Sequence, residues 1–200
     1  TVSESANPEV FSRTLFGILL YGCMLLFGGI VTALAVNWRI FKPCADPDRS
    51  TKFLQTAYGW LLLSVAMMAA MPLYMRWYAQ SHEIAFSHAY YGAVRHAITV
   101  GFISFMMLGV AAKIVPTLMG LDVRKLGGLW PTYVLVFAGC SMRVFFQVLT
   151  DIPEFQTFAY PLAGISGVLE VSGIAIWSLH LWRVMDGKYA AAPEVPGRGV

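Results

Sequence analysis

No charged side chain interrupts the chain between Leu15 and Trp38, and none between Phe53 and Met75. Runs of that length decide the solvent. A helix rises about 1.5 Å per residue, so roughly 20 apolar residues cross the roughly 30 Å hydrocarbon core of a bilayer. Three more stretches qualify by length. Ile84–Ala112 holds His88, Arg95 and His96, Leu126–Thr150 holds Arg143, and Phe155–Trp182 holds Glu170 and His180. The expected fold is all-α: a polytopic membrane bundle of five transmembrane helices, forming one domain over residues 1–188. The Ala/Pro/Gly-rich residues 189–200 are expected to be a disordered cytoplasmic tail. Composition agrees. The chain is 58% hydrophobic and 12% charged, against roughly 25% charged residues in an average soluble domain.

The charges are sided. Of the fourteen Lys and Arg, ten fall on one side of the expected spans: Arg39, Lys42, Arg49, Lys52, Lys113, Arg124, Lys125, Arg183, Lys188 and Arg198. Arg13 and Arg76 fall on the other side, and Arg95 and Arg143 inside the membrane. The positive-inside rule then places the N-terminus outside and the C-terminus in the cytoplasm. A net charge of +3, spread over several loops, is no footprint for nucleic acid. Cys23, Cys44 and Cys140 show no CxxC or CxxCH spacing, which argues against a disulfide framework, a zinc knuckle and covalent haem attachment. Small residues one turn apart, Gly28-Gly29 with Thr32-Ala33 and Ala163-Gly164 with Gly167-Val168, mark expected helix-packing faces.

Ionisable groups inside a bilayer are costly and usually face a bundle interior, a partner or a cavity. Counted from the outer ends of the spans, Arg143 lies about 10 Å deep, Arg95 and His96 about 17 Å, and Glu170 about 20 Å. Three helices thus bring polar groups to the outer and middle depths. Glu170 is expected to point into the bundle, within reach of Arg95 or Arg143. A structural reading stands beside this: one arginine pairs with Glu170, the other snorkels to lipid phosphate, and the histidines bond backbone carbonyls. The functional reading is haem b. Such a group between helices needs an axial histidine, a gap lined by small residues, and cations near its propionates. His96 has Gly92 one turn before it and Gly101 after it, and Arg95 and Arg143 are the embedded cations. His88 and His96 are eight residues apart, about 12 Å along the axis and roughly 80° around it, so they cannot both ligate one haem iron: each could bind a different centre, or the sixth ligand could come from elsewhere. Met67, Met68 and Met71 lie at suitable depth for a sixth ligand.

The string from Tyr91 to Pro116, with Arg95-His96-Ala97-x-Thr99-x-Gly101 as its sharpest element, resembles a helix of the NnrS family. The Arg143 helix and the last helix, ending Trp177-Ser-Leu-His180-Leu-Trp-Arg183, are similar to that family's following spans. Together they cover roughly Tyr91 to Met185. The resemblance implies a polytopic protein of the bacterial inner membrane, binding haem and copper and linked to nitric oxide. Two departures stand out. The family's Gly-His-Thr-Gly-Arg motif is replaced by Pro116-Thr-Leu-Met-Gly120-Leu-Asp-Val-Arg124, without the histidine. Family members also have about twice as many helices, which makes this a half-length relative or a fragment. Gly92-x-x-Arg95-His96 is also similar, more weakly, to the haem-bearing second helix of haem–copper oxidase catalytic subunits.

The expected function is therefore a haem b-binding membrane subunit in electron transfer or nitric-oxide-linked redox chemistry, with copper as a second candidate cofactor. Its candidate ligands are His96 and His88, with Arg95, Arg143 and Glu170 around the cofactor. No residue is assigned a catalytic step. Expected partners are the lipid bilayer, other membrane subunits or a second copy, and a periplasmic electron carrier. The competing readings are a structural subunit of a respiratory complex, and a small channel or transporter using Glu170 and the arginines.

Overall fold

A computed structural model describes residues 8–42, 48–82 and 86–187. It is all-α: among the described residues there are five long helices, two short 3-10 turns and no strand. The helices are α1 (Pro8–Asn37), α2 (Thr51–His82), α3 (His88–Leu118), α4 (Trp130–Leu149) and α5 (Gln156–Met185). Each carries a stretch long and apolar enough to cross a membrane. The expected tail, 189–200, lies outside the described residues, as do Cys44 and the side chain of His82.

Local chemistry sets the ends. The Ser87 side chain accepts from the Tyr90 amide and caps α3, so that helix starts at His88 rather than at Ile84. It also runs past Lys113 to Leu118 with Pro116 inside it; the Ala112 carbonyl, which a proline cannot bond, accepts from Arg49 Nε at 2.9 Å instead. Pro131 occupies the first turn of α4, where a missing N–H costs nothing. The stretch before it is therefore loop, with Leu129 at φ 53°. Asp48 Oδ1 accepts from the Ser50 and Thr51 amides at 2.8 and 3.2 Å, opening α2.

The bundle is dry inside and oily outside. Phe53, Ala57, Ala93, Ala97, Phe105, Val136 and Cys140 are fully buried, whereas Leu19, Leu26, Leu73, Phe145, Val168 and Leu179 are exposed. That distribution suits a hydrocarbon solvent. The closest packing joins α4 to α5. A Cβ placed at Gly139 would stand 2.7 Å from Glu170 Cγ and 2.8 Å from the Ser166 carbonyl, and one at Gly173 would stand 2.7 Å from Val136. The expected small-residue face of α5 needs correcting. Gly164 and Gly167 have nothing within 4 Å; the buried stripe is Ala159, Ala163, Ser166, Glu170 and Gly173, whose spacing of three and four keeps one helical face. On α1, Gly28 packs on Val65 of α2 while Gly29 stays open.

Midway along α3 the backbone widens into a π-helix over Ala97–Ser104. Its Gly101 lies against the Trp60 indole of α2, with an added Cβ only 2.6 Å away. Short π segments inside α-helices are frequent at functional sites, and this one begins directly after His96.

Candidate functional site

His96 and Glu170 meet. The imidazole Nε2 and the carboxylate Oε1 are 2.7 Å apart, with side-chain exposures of 20% and 12%. The two residues come from α3 and α5, and the carboxylate passes α4 at Gly139, where no side chain blocks it. Glu170 therefore faces the bundle interior, as its depth implied. Its partner differs from the expected one. The carboxylate bonds His96, and neither Arg95 nor Arg143 pairs with it.

The reasons are geometric. Arg95 adjoins His96 in sequence and so points about 100° away around the helix. It is exposed, with its guanidinium 5.9 Å from the Tyr91 ring one turn nearer the start of α3. Arg143 is one turn after Gly139 on α4 and donates to the Ala163 carbonyl at 2.7 Å, two helical turns before Glu170 on α5. His88 is exposed at the start of α3, edge-on to Phe86 with ring centroids 5.1 Å apart. Of the five candidate residues the fold thus joins two, His96 and Glu170, and separates His88, Arg95 and Arg143 from them.

A haem slot is not open in this packing. The Gln147 amide fills the notch at Gly92, Trp60 fills that at Gly101, and Glu170 fills that at Gly139. Met68 and Met71 line a cavity of about 570 Å³ between α1 and α2, together with Tyr21, Met24 and Pro72, so they face away from His96. Met67 offers its carbonyl to the Tyr90 hydroxyl at 2.7 Å. A macrocycle enclosed by this chain alone does not fit these residues. What they do hold is a nearly buried imidazole with a carboxylate on one ring nitrogen. No described residue is hydrogen-bonded to the other, Nδ1. Among the described residues, no group of three or more His, Cys, Asp or Glu gathers as a metal site.

Two polar clusters escaped the sequence reading. At one end Arg49, counted there as a loop charge, is buried at 7% exposure. It donates to the Ala112 carbonyl and lies 2.9 Å from His180 Nε2. Beside it Asp48 accepts from Lys113 Nζ at 3.0 Å. Burial alone would raise the Asp48 pKa, but bonds from Ser50 and Lys113 outweigh it and hold it at about 2. At the other end buried Asp151 accepts from the Tyr74 hydroxyl at 2.7 Å and from Ser87. The signals were the capping residues Asp48 and Ser87 beside helix starts.

No curated protein and no solved structure matches the chain. The family model described as NnrS protein matches residues 9–187. The match takes in all five helices, including α1 and α2, which the motif resemblance had left out. The chain is thus a multi-pass membrane protein belonging to the NnrS family, a family linked to nitric oxide.

Proposed function

We propose that the chain serves nitric-oxide-linked redox chemistry in the membrane, with His96 as a metal ligand and Glu170 as the carboxylate that orients it. The observation that carries this reading is the 2.7 Å contact between Nε2 and Oε1 inside the bundle. A metal-ligating histidine characteristically donates its second ring N–H to a carboxylate or carbonyl, which fixes the ring and its tautomer. With Nε2 engaged, Nδ1 is the nitrogen left to coordinate. Glu170 would also offset the positive charge of a bound ion in a low-dielectric setting. A single ion such as copper suits one imidazole nitrogen with further ligands from a partner. Haem b would have to be shared with a partner, since the closed core of this chain leaves no slot for it.

A second reading has its own support. The filled notches at Gly92, Gly101 and Gly139 favour a purely structural clasp, in which the pair ties α3 to α5. Absorption spectroscopy and metal analysis of the purified full-length chain separate the two. The expected result is a visible haem spectrum or bound copper that His96→Ala abolishes and His88→Ala leaves intact. A colourless, metal-free protein in which His96→Ala lowers only stability would establish the clasp and reject the metal site.

A further inference from the structure

At the end of the bundle where Arg49 is buried, the loop before α4 folds over a cavity of about 570 Å³. Among the described residues its walls carry three cations, Arg49, Lys52 and Arg124, and one acid, Asp48. The acid is already occupied, by Lys113 Nζ on Oδ2 and by the Ser50 and Thr51 amides on Oδ1. The described lining thus carries more cations than acids. Two of its cations are set in place. Arg49 is held by the Ala112 carbonyl and His180, and Lys52 is held by the Gly128 carbonyl with its ammonium 4.0 Å from the Trp130 ring.

A second cavity, of about 440 Å³, adjoins the first and shares Gly128 and Trp130 with it. Its other walls include Leu129, Pro131, Ile176 and Leu179. Ile176 and Leu179 are 41% and 61% exposed on the outer surface of α5, so this groove opens toward hydrocarbon. A basic pocket beside a mainly apolar groove, the two sharing Gly128 and Trp130 and the groove also carrying His180 and Arg183, matches a molecule with an anionic head and an alkyl tail. We propose that the two cavities together bind one anionic phospholipid, its phosphate at Arg49, Lys52 and Arg124 and an acyl chain along Ile176 and Leu179. Basic pockets between transmembrane helices are a known setting for anionic head groups. Inorganic phosphate shares the head-group chemistry, but it would leave the groove unused.

The test uses the full chain in a neutral detergent, following thermal unfolding as phosphatidylglycerol, phosphatidylcholine or inorganic phosphate is added. Phosphatidylglycerol should raise the unfolding temperature and phosphatidylcholine should not. Each cation near the surface is worth about fivefold in attraction for an anionic lipid. Arg124→Gln and Lys52→Gln should therefore each raise the half-saturating lipid fraction about fivefold, and Arg124→Lys should restore it. Arg124 is exposed, and the unfolding temperature of each variant without lipid separates any loss of stability from a loss of lipid binding. Equal protection by phosphatidylcholine would overturn the proposal, as would unchanged phosphatidylglycerol binding in both Gln variants. Inorganic phosphate protecting as well as phosphatidylglycerol would overturn the lipid as its source.

Discussion

At the residue scale the decisive group is Glu170, a carboxylate buried with one strong partner, His96 Nε2, at 2.7 Å. What stabilises the pair is tested by two substitutions of similar size. Glu170→Gln keeps an oxygen that can accept from Nε2, while Glu170→Leu leaves the imidazole facing hydrocarbon. Leaving a buried donor unsatisfied costs about 1–3 kcal/mol. Detergent-unfolding measurements should therefore show Glu170→Leu losing roughly that much and Glu170→Gln losing less. Equal losses would mean that the charge, not the hydrogen bond, holds α3 to α5. That Glu170 faces inward was legible from its depth, since an ionisable group at mid-membrane is costly against lipid. Its partner was not, because depth estimates rank candidates along the axis and say nothing of rotation around it. Arg95 and His96 share a depth yet point about 100° apart, and only the fold decides which one reaches α5.

At the element scale, the α4–α5 pair rests on close approach rather than on bulk. Lipid tails are as apolar as leucine, so association in a bilayer leans on van der Waals fit at small residues. Gly139 is where that fit is tightest. A methyl group there would meet Glu170 Cγ at 2.7 Å and the Ser166 carbonyl at 2.8 Å, and a backbone oxygen cannot rotate away. Gly139→Val should cost about 1–3 kcal/mol, typical of overpacking, and should displace Glu170 from His96. Gly164→Ala, at an open position, should be neutral or gain up to about 1 kcal/mol through helix propensity. A thermal-stability comparison of the two variants checks this, and a Gly139→Val protein as stable as the parent would refute the tight contact. The signal for Gly139 was present in the run Ala138-Gly139-Cys140-Ser141 within an otherwise bulky helix. The sequence reading weighed Gly164 and Gly167 instead, since a small-xxx-small spacing exists on several faces of α5 and only the inward stripe matters. The π segment after His96 had no such signal; it coincides with the Trp60 indole packed on Gly101, a contact between distant parts of the chain.

At the scale of the whole molecule, two sets of contacts define the two ends of the bundle. Asp48–Lys113, Arg49–His180 and Lys52–Gly128 tie the α1–α2 connection, the end of α3, the loop before α4 and the end of α5 together. Tyr74 and Ser87, both bonded to Asp151, tie the α2–α3 and α4–α5 connections together at the opposite end. The five spans were legible because uncharged runs and length alone specify them in a bilayer. The alternation of ends follows from short loops, and it agrees with the distribution of basic residues. Arg39, Lys42, Arg49, Lys52, Lys113, Arg124 and Arg183 belong to the first end, whereas Arg76 belongs to the second. Cations close to helix ends are held back during insertion, so the first end should face the cytoplasm, with the N-terminus outside. Burial of Arg49 does not weaken this, since its backbone still precedes α2 on the basic side. A reporter fused after Val200 should be active only in the cytoplasm. Glu154 is exposed in the connection between α4 and α5, so a Glu154→Cys variant should be labelled in intact cells by a membrane-impermeant maleimide while the parent chain is not. Labelling only after the membrane is opened, together with a reporter active outside, would invert the molecule. It would also move the anionic-lipid pocket to the opposite leaflet without altering its chemistry.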